Sequence, residues 1–175
     1  MAKIGRAVRE AAVRRLADEE TGFNAALAAL AAEYGIQTFA IDWSVGSKNF
    51  FLGPISPDYI DESAAARYPV AVLYAIGSSN DHESMPRAFS GKVTLGLDFY
   101  VTDRAGNAPR ELEDVGDAIE DAVYGVFVDG NWPQAWGAAN ACQTGISLDR
   151  HPVEMAGENW RQTLSFRLTF QVDTD

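Results

Sequence analysis

Between Trp160 and Val172 the chain reads W-R-Q-T-L-S-F-R-L-T-F-Q-V, with Trp160, Leu164, Phe166, Leu168, Phe170 and Val172 at even positions and polar or charged residues at every odd one. A two-residue period sends successive side chains to opposite faces of a strand, so this segment predicts a long strand of an antiparallel sheet with one dry face and one wet face. The even face belongs to the protein's own core, while Arg161, Thr163, Ser165, Arg167, Thr169 and Gln171 form a polar face available to a neighbouring subunit. Lys92 to Asp103 repeats the pattern with Val93, Leu95, Leu97, Phe99 and Val101 on one side. Val70 to Ile76 is apolar on both faces, as in a central strand covered on each side, and it pairs with 92–103 in a long hairpin across the polar stretch Gly77 to Gly91. Thr144, Ile146 and Leu148 open a last hairpin that turns through Arg150 to Glu158 and returns along Trp160–Val172.

A helical period governs other segments. Ile4, Val8, Ala12 and Leu16 form one stripe, and after Thr21-Gly22 the residues Phe23, Leu27, Leu30 and Tyr34 form another that stops at Gly35. Pro109 suits a helix start, Glu111, Glu113 and Asp114 suit the positive end of its dipole, and Leu112, Val115, Ile119, Ala122 and Val126 mark its buried side up to Asp129-Gly130. Phe39, Ile41 and Trp43 predict a short strand. The segment 44–67 contains Gly and Pro breakers but also Phe50, Phe51 and Tyr59; it either folds over the core or forms an arm that docks on another subunit. A loop at 131–141 carries Trp132 and Trp136. The expected fold is α+β, an antiparallel sheet of about four to five strands packed against an acidic helix and N-terminal helices. It forms a single domain over 1–175, with 44–67 as an extended loop or arm.

Composition narrows the chemistry. At 175 residues and 47% hydrophobic, the chain can bury one substantial core. The single cysteine, Cys142, allows no internal disulfide and reads as a packing residue. No apolar run approaches a membrane span, and the acidic residues Glu10, Asp18, Glu19 and Glu20 argue against an organelle-targeting role for the arginine-rich start. With 14 Lys+Arg against 25 Asp+Glu, the net charge of -11 repels nucleic acid and anionic membrane.

Catalytic signatures fail one by one. A phosphate-binding loop ending at Gly91-Lys92 would need Gly in place of Pro86 and Ser or Thr in place of Val93, and no dinucleotide fingerprint follows a strand. His151 and Glu154 flank a proline in a turn, which does not align two metal ligands, and Asp81-His82-Glu83 reads as a hairpin tip. No catalytic, cofactor-binding or metal-ligating residue is therefore expected. The densest constellation is Glu111, Glu113, Asp114, Asp117, Glu120 and Asp121 on the acidic helix, with Asp114, Asp117 and Asp121 at i, i+3, i+7 on a common face opposite the apolar stripe, read either as a solvated face or as a wall facing something specific.

The succession of N-terminal helix, hairpin 70–101, acidic helix 109–128 and a final hairpin closing in R-Q-T-L-S-F-R-L-T-F-Q-V resembles that of phage tail terminator proteins, small α+β subunits of long-tailed phages. The resemblance implies a non-enzymatic virion protein, assembled in the host cytoplasm and located at the tail-neck region. It would form a homo-oligomeric ring, a hexamer, on the last ring of the tail tube, stop polymerisation and offer a surface to the head connector or neck protein. DNA would be only a transient passenger, and no membrane or cofactor would be involved. On this view Asp114, Asp117, Glu120 and Asp121 line the channel, while Phe50, Phe51, Tyr59, Trp132, Trp136, Arg161 and Arg167 contact neighbouring subunits. The alternatives are a head-completion or neck adaptor, a small cytosolic enzyme or ligand-binding domain, and an acidic protein that binds a basic partner.

Overall fold

The computed structural model describes residues 2–62, 67–80, 89–103, 111–127, 134–136 and 139–174. In chain order the elements are α1 (Ala2–Leu16), α2 (Phe23–Tyr34), β1 (Phe50–Leu52), α3 (Pro57–Glu62), β2 (Val70–Asn80), β3 (Phe89–Thr102), α4 (Glu111–Phe127), β4 (Gln134–Trp136), β5 (Ala139–Arg150), β6 (Glu154–Ala156) and β7 (Asn159–Thr174). One seven-stranded sheet runs β1-β2-β3-β7-β5-β4, with β6 paired to β7. It is antiparallel except where β1 runs parallel to β2. The α+β class holds, and the strands beyond the expected four to five are the three-residue β1, β4 and β6, too short to carry an alternation.

The two long alternating segments lie side by side at the centre. Val93 pairs with Phe170, Leu95 with Leu168, Leu97 with Phe166 and Phe99 with Leu164, so both apolar faces point the same way. The helices α1, α2 and α4 cover that face, contributing Val8, Leu16, Phe23, Leu27 and the stripe Leu112, Val115, Ile119, Ala122, Val126 to one core. Within it Phe99 stacks on Phe23 at 4.9 Å between ring centroids and meets Phe166 and Trp43 edge-on at 6.1 and 6.4 Å. Each such side chain contributes roughly 1.5–3 kcal/mol on burial.

Trp160 departs from the expected pattern: it is 36% exposed rather than in the core. Among the described residues the β3 pairing of this strand ends at Thr102–Arg161, and Trp160 is paired with Met155 of the short β6 instead.

The expected strand at 39–43 is absent, although its alternating burial is real: Ile41 and Trp43 are buried. Two asparagine side chains replace the missing partner strand. Asn24 donates to the Ile41 carbonyl at 2.8 Å and accepts from the Ile41 N–H at 2.9 Å. Asn49 donates to the Ala40 carbonyl at 2.9 Å and accepts from the Asp42 N–H at 3.0 Å. The backbone groups that would demand a ladder are thus satisfied without one.

Within 44–67, the described residues up to Glu62 fold onto the chain's own core. Phe50 is fully buried in the main core, and β1 extends the sheet beside β2. Phe51 of β1, Ile55 and Ile60 close a second, smaller core with Val70, Val72 and Tyr100 on the sheet's far face. This explains why β2 is apolar on both sides from Val70 to Leu73, whereas Ala75 and Ile76, beyond the cover and beside a register shift, are exposed. β2 is therefore next to the edge rather than central.

The link between α1 and α2 is a tight polar turn. The Asp18 carboxylate accepts from the Thr21 N–H at 2.7 Å, the Thr21 hydroxyl at 2.9 Å and the Glu20 N–H at 3.0 Å, which holds its pKa below the ordinary carboxylate value. Gly22 then packs so closely that a Cβ there would lie 2.3 Å from the Asp18 carbonyl oxygen. Gly22→Ala should destabilise the protein by about 1–3 kcal/mol, the usual cost of overpacking, measured as a lower urea midpoint. Because the folded pKa of Asp18 is depressed, its contribution is present above the ordinary carboxylate range and lost as pH falls through the depressed value.

Candidate functional site

The acidic helix α4 bears Glu111, Glu113, Asp114, Asp117, Glu120 and Asp121 and no basic residue. Its apolar stripe faces the core, which fixes the carboxylates outward. Two of the four expected channel residues are engaged within the subunit. Asp117 forms an ion pair with Arg150 of β5, whose guanidinium also donates to the Glu113 carbonyl at 2.7 Å. Asp121 accepts from the Tyr34 hydroxyl of α2 at 2.5 Å, a bond that pushes the Tyr34 pKa up to about 12. Asp114 is exposed and Glu120 partly so. The acidic face is thus a wall braced from both sides, with Glu113, Asp114 and Glu120 presented to whatever lies in front of it.

The aromatic and arginine candidates separate by position. Phe50 is a core residue and cannot reach a neighbour, which corrects its expected interface role; β1 pairing draws it inward. Phe51 is half-buried in the smaller core, whereas Tyr59 is 62% exposed on α3. Trp132 and the side chain of Trp136 lie outside the described residues, as do Asp81, His82 and Glu83. Arg161 pairs with Glu154 at 3.3 Å across its own hairpin and is largely covered. Arg167 is exposed on the far face, opposite Gly96 of β3 and Ser147 of β5, where small neighbours leave it room.

Sequence reasoning missed two exposed apolar groups. Val45 (77% exposed) and Leu52 lie together against the arginine-rich side of α1, and Met155 (55% exposed) lies opposite Trp160 on the β6–β7 hairpin. The Met155–Trp160 pair was legible only as a place where the alternation continues past the end of the sheet.

The far face also holds Asp98, which reads in sequence as one more polar position of an alternating strand. It is only 8% exposed. Burial raises its pKa above the ordinary value, outweighing the hydroxyls of Ser165, Tyr74 and Tyr100 and the nearby His151, which all favour its charge. Tyr100 is raised too, first by burial and then by the Asp98 charge. A raised folded pKa means that Asp98 supports stability fully below the unfolded carboxylate pKa, and that this support is lost as pH rises through the raised value. Asp98→Asn should therefore stabilise the fold at neutral pH by about 1 kcal/mol, the scale of one unsatisfied buried acceptor, read as a higher melting temperature, and the gain should fade near pH 4. Thermal scans across that range check it.

Among the described residues no cluster of three or more His, Cys, Asp or Glu side chains could hold a metal ion, and no helix is long and apolar enough to cross a membrane. Cys142 is half-buried on β5. No protein-family model matches the chain, and no curated protein does so either.

Proposed function

We propose that the protein is a structural virion subunit that closes into a homo-oligomeric ring, a hexamer, capping the phage tail tube and presenting a surface to the head connector. The observation that carries this reading is a subunit with a well-filled core whose surface keeps exposed apolar groups at separate places, Val45 with Leu52 against α1, Met155 with Trp160 on the hairpin, Tyr59 on α3 and Ile76 on β2. Two different patches that fit each other make a head-to-tail contact, and head-to-tail contacts close into rings when the rotation permits. The element order supports the tail-terminator form of the reading, and the acidic α4 suits a channel wall from which DNA phosphates are repelled.

Asp114 and Glu120 carry the channel role, since neither braces the fold in the way Asp117 and Asp121 do. Reversing both to Lys should leave ring assembly intact and impair DNA delivery. This is measured by electron microscopy of rings beside genome ejection from completed particles; loss of folding instead would remove the channel assignment. Co-sedimentation with tail tubes rather than with portal complexes distinguishes a tail terminator from a neck adaptor.

A further inference from the structure

We propose that the cavity bounded by residues 54–56 and the far face of β2 and β3 binds a cationic nitrogen on an apolar stem, an alkylammonium or guanidinium group, with Asp98 as its counter-ion. The cavity measures about 350 Å³ and is lined by Pro54, Ile55, Ser56, Tyr74 and Asp98. Its walls are Pro54, Ile55, the Tyr74 ring and the polar Ser56, and its one formal charge is the carboxylate. That carboxylate is more than nine-tenths buried, and although the hydroxyls of Ser165, Tyr74 and Tyr100 turn towards it, its Oδ1 oxygen accepts no hydrogen bond. A buried acceptor left unpaired costs free energy, and a buried charge costs more.

Other features of the face shape the site. Gly96 lies between Tyr74 and Arg167 in register, and a Cβ at Gly96 would sit 2.4 Å from the Tyr74 ring, so glycine lets that ring lie down over the backbone as a wall. Arg167 is exposed, and Arg161 is committed to Glu154 on the hairpin. An incoming ammonium supplies the donor that Oδ1 lacks together with a full positive charge beside the carboxylate, and an electron-rich tyrosine ring adds attraction for a cation. A neutral alcohol of equal shape supplies only the donor. The stem would run along Ile55 and Pro54. The nitrogen can come from a free amine or from a Lys or Arg side chain of a second copy.

The test uses the full-length protein with n-butylammonium and n-butanol as probes, followed by calorimetric titration and thermal shift. Butylammonium should bind at least about tenfold more tightly than butanol, and Asp98→Asn should remove that preference. Equal binding of the two probes, or an unchanged preference in Asp98→Asn, would overturn the site. If Asp98→Asn does not fold, the comparison of probes on the wild-type protein decides alone. Sedimentation with and without butylammonium identifies the source. Dissociation of an assembly supports a side chain of a second copy, and saturable binding with assembly unchanged supports a free amine.

Discussion

Phe99→Ala should cost about 3–5 kcal/mol of folding stability, the largest loss expected from any single truncation in this chain. Phe99 stands where three parts of the molecule meet: it stacks on Phe23 of α2, meets Trp43 of the strandless segment edge-on, and meets Phe166 of β7 edge-on. Truncation removes the buried area of the ring and three aromatic contacts worth about 0.5–1.5 kcal/mol each, and it leaves a cavity among side chains that are themselves fully buried. The central strands are too tightly paired on both sides to collapse into the space. Urea unfolding followed by circular dichroism measures the loss, and a cost under about 1 kcal/mol would mean that the aromatic cluster is not the centre of the core.

Trp160→Ala should weaken each subunit contact by about 2 kcal/mol or more, a factor of about 30 in its equilibrium constant, and so dismantle the ring. Partly exposed and paired with Met155 at the tip of a hairpin, Trp160 has the position and chemistry of an interface anchor rather than of a core residue. The folded subunit should survive, because the even residues from Leu164 onward, which do build the core, are untouched. Sedimentation velocity at several protein concentrations reads the assembly, and circular dichroism reads the fold. A variant that stays folded and assembles as the wild type does would take the hairpin out of the interface.

The main architecture was legible because its signals are long. β3 and β7 each run for more than ten residues with one dry face, and α4 carries an unbroken apolar stripe opposite its carboxylates. What escaped was short or borrowed. β1, β4 and β6 are three residues each, and 39–43 imitates a strand through the side chains of Asn24, 17 residues before Ile41, and Asn49, in the following turn segment. The site residues were legible as chemistry but not as geometry. Asp117 and Asp121 look equivalent to Asp114 on a helical wheel, yet Arg150 and Tyr34 engage them from other elements. Phe50 and Tyr59 look equally greasy, but β1 pairing buries the first and α3 exposes the second. Asp98 gave no sign, since a polar residue on the wet face of an alternating strand is ordinary until another segment covers it.

Negative-stain electron microscopy of the purified protein, paired with native mass spectrometry, addresses the ring most directly. Closed rings of identical subunits, with a mass of six chains of 19.0 kDa, are the expected result. A monomer at every concentration, with and without tail tubes, would contradict the proposed function.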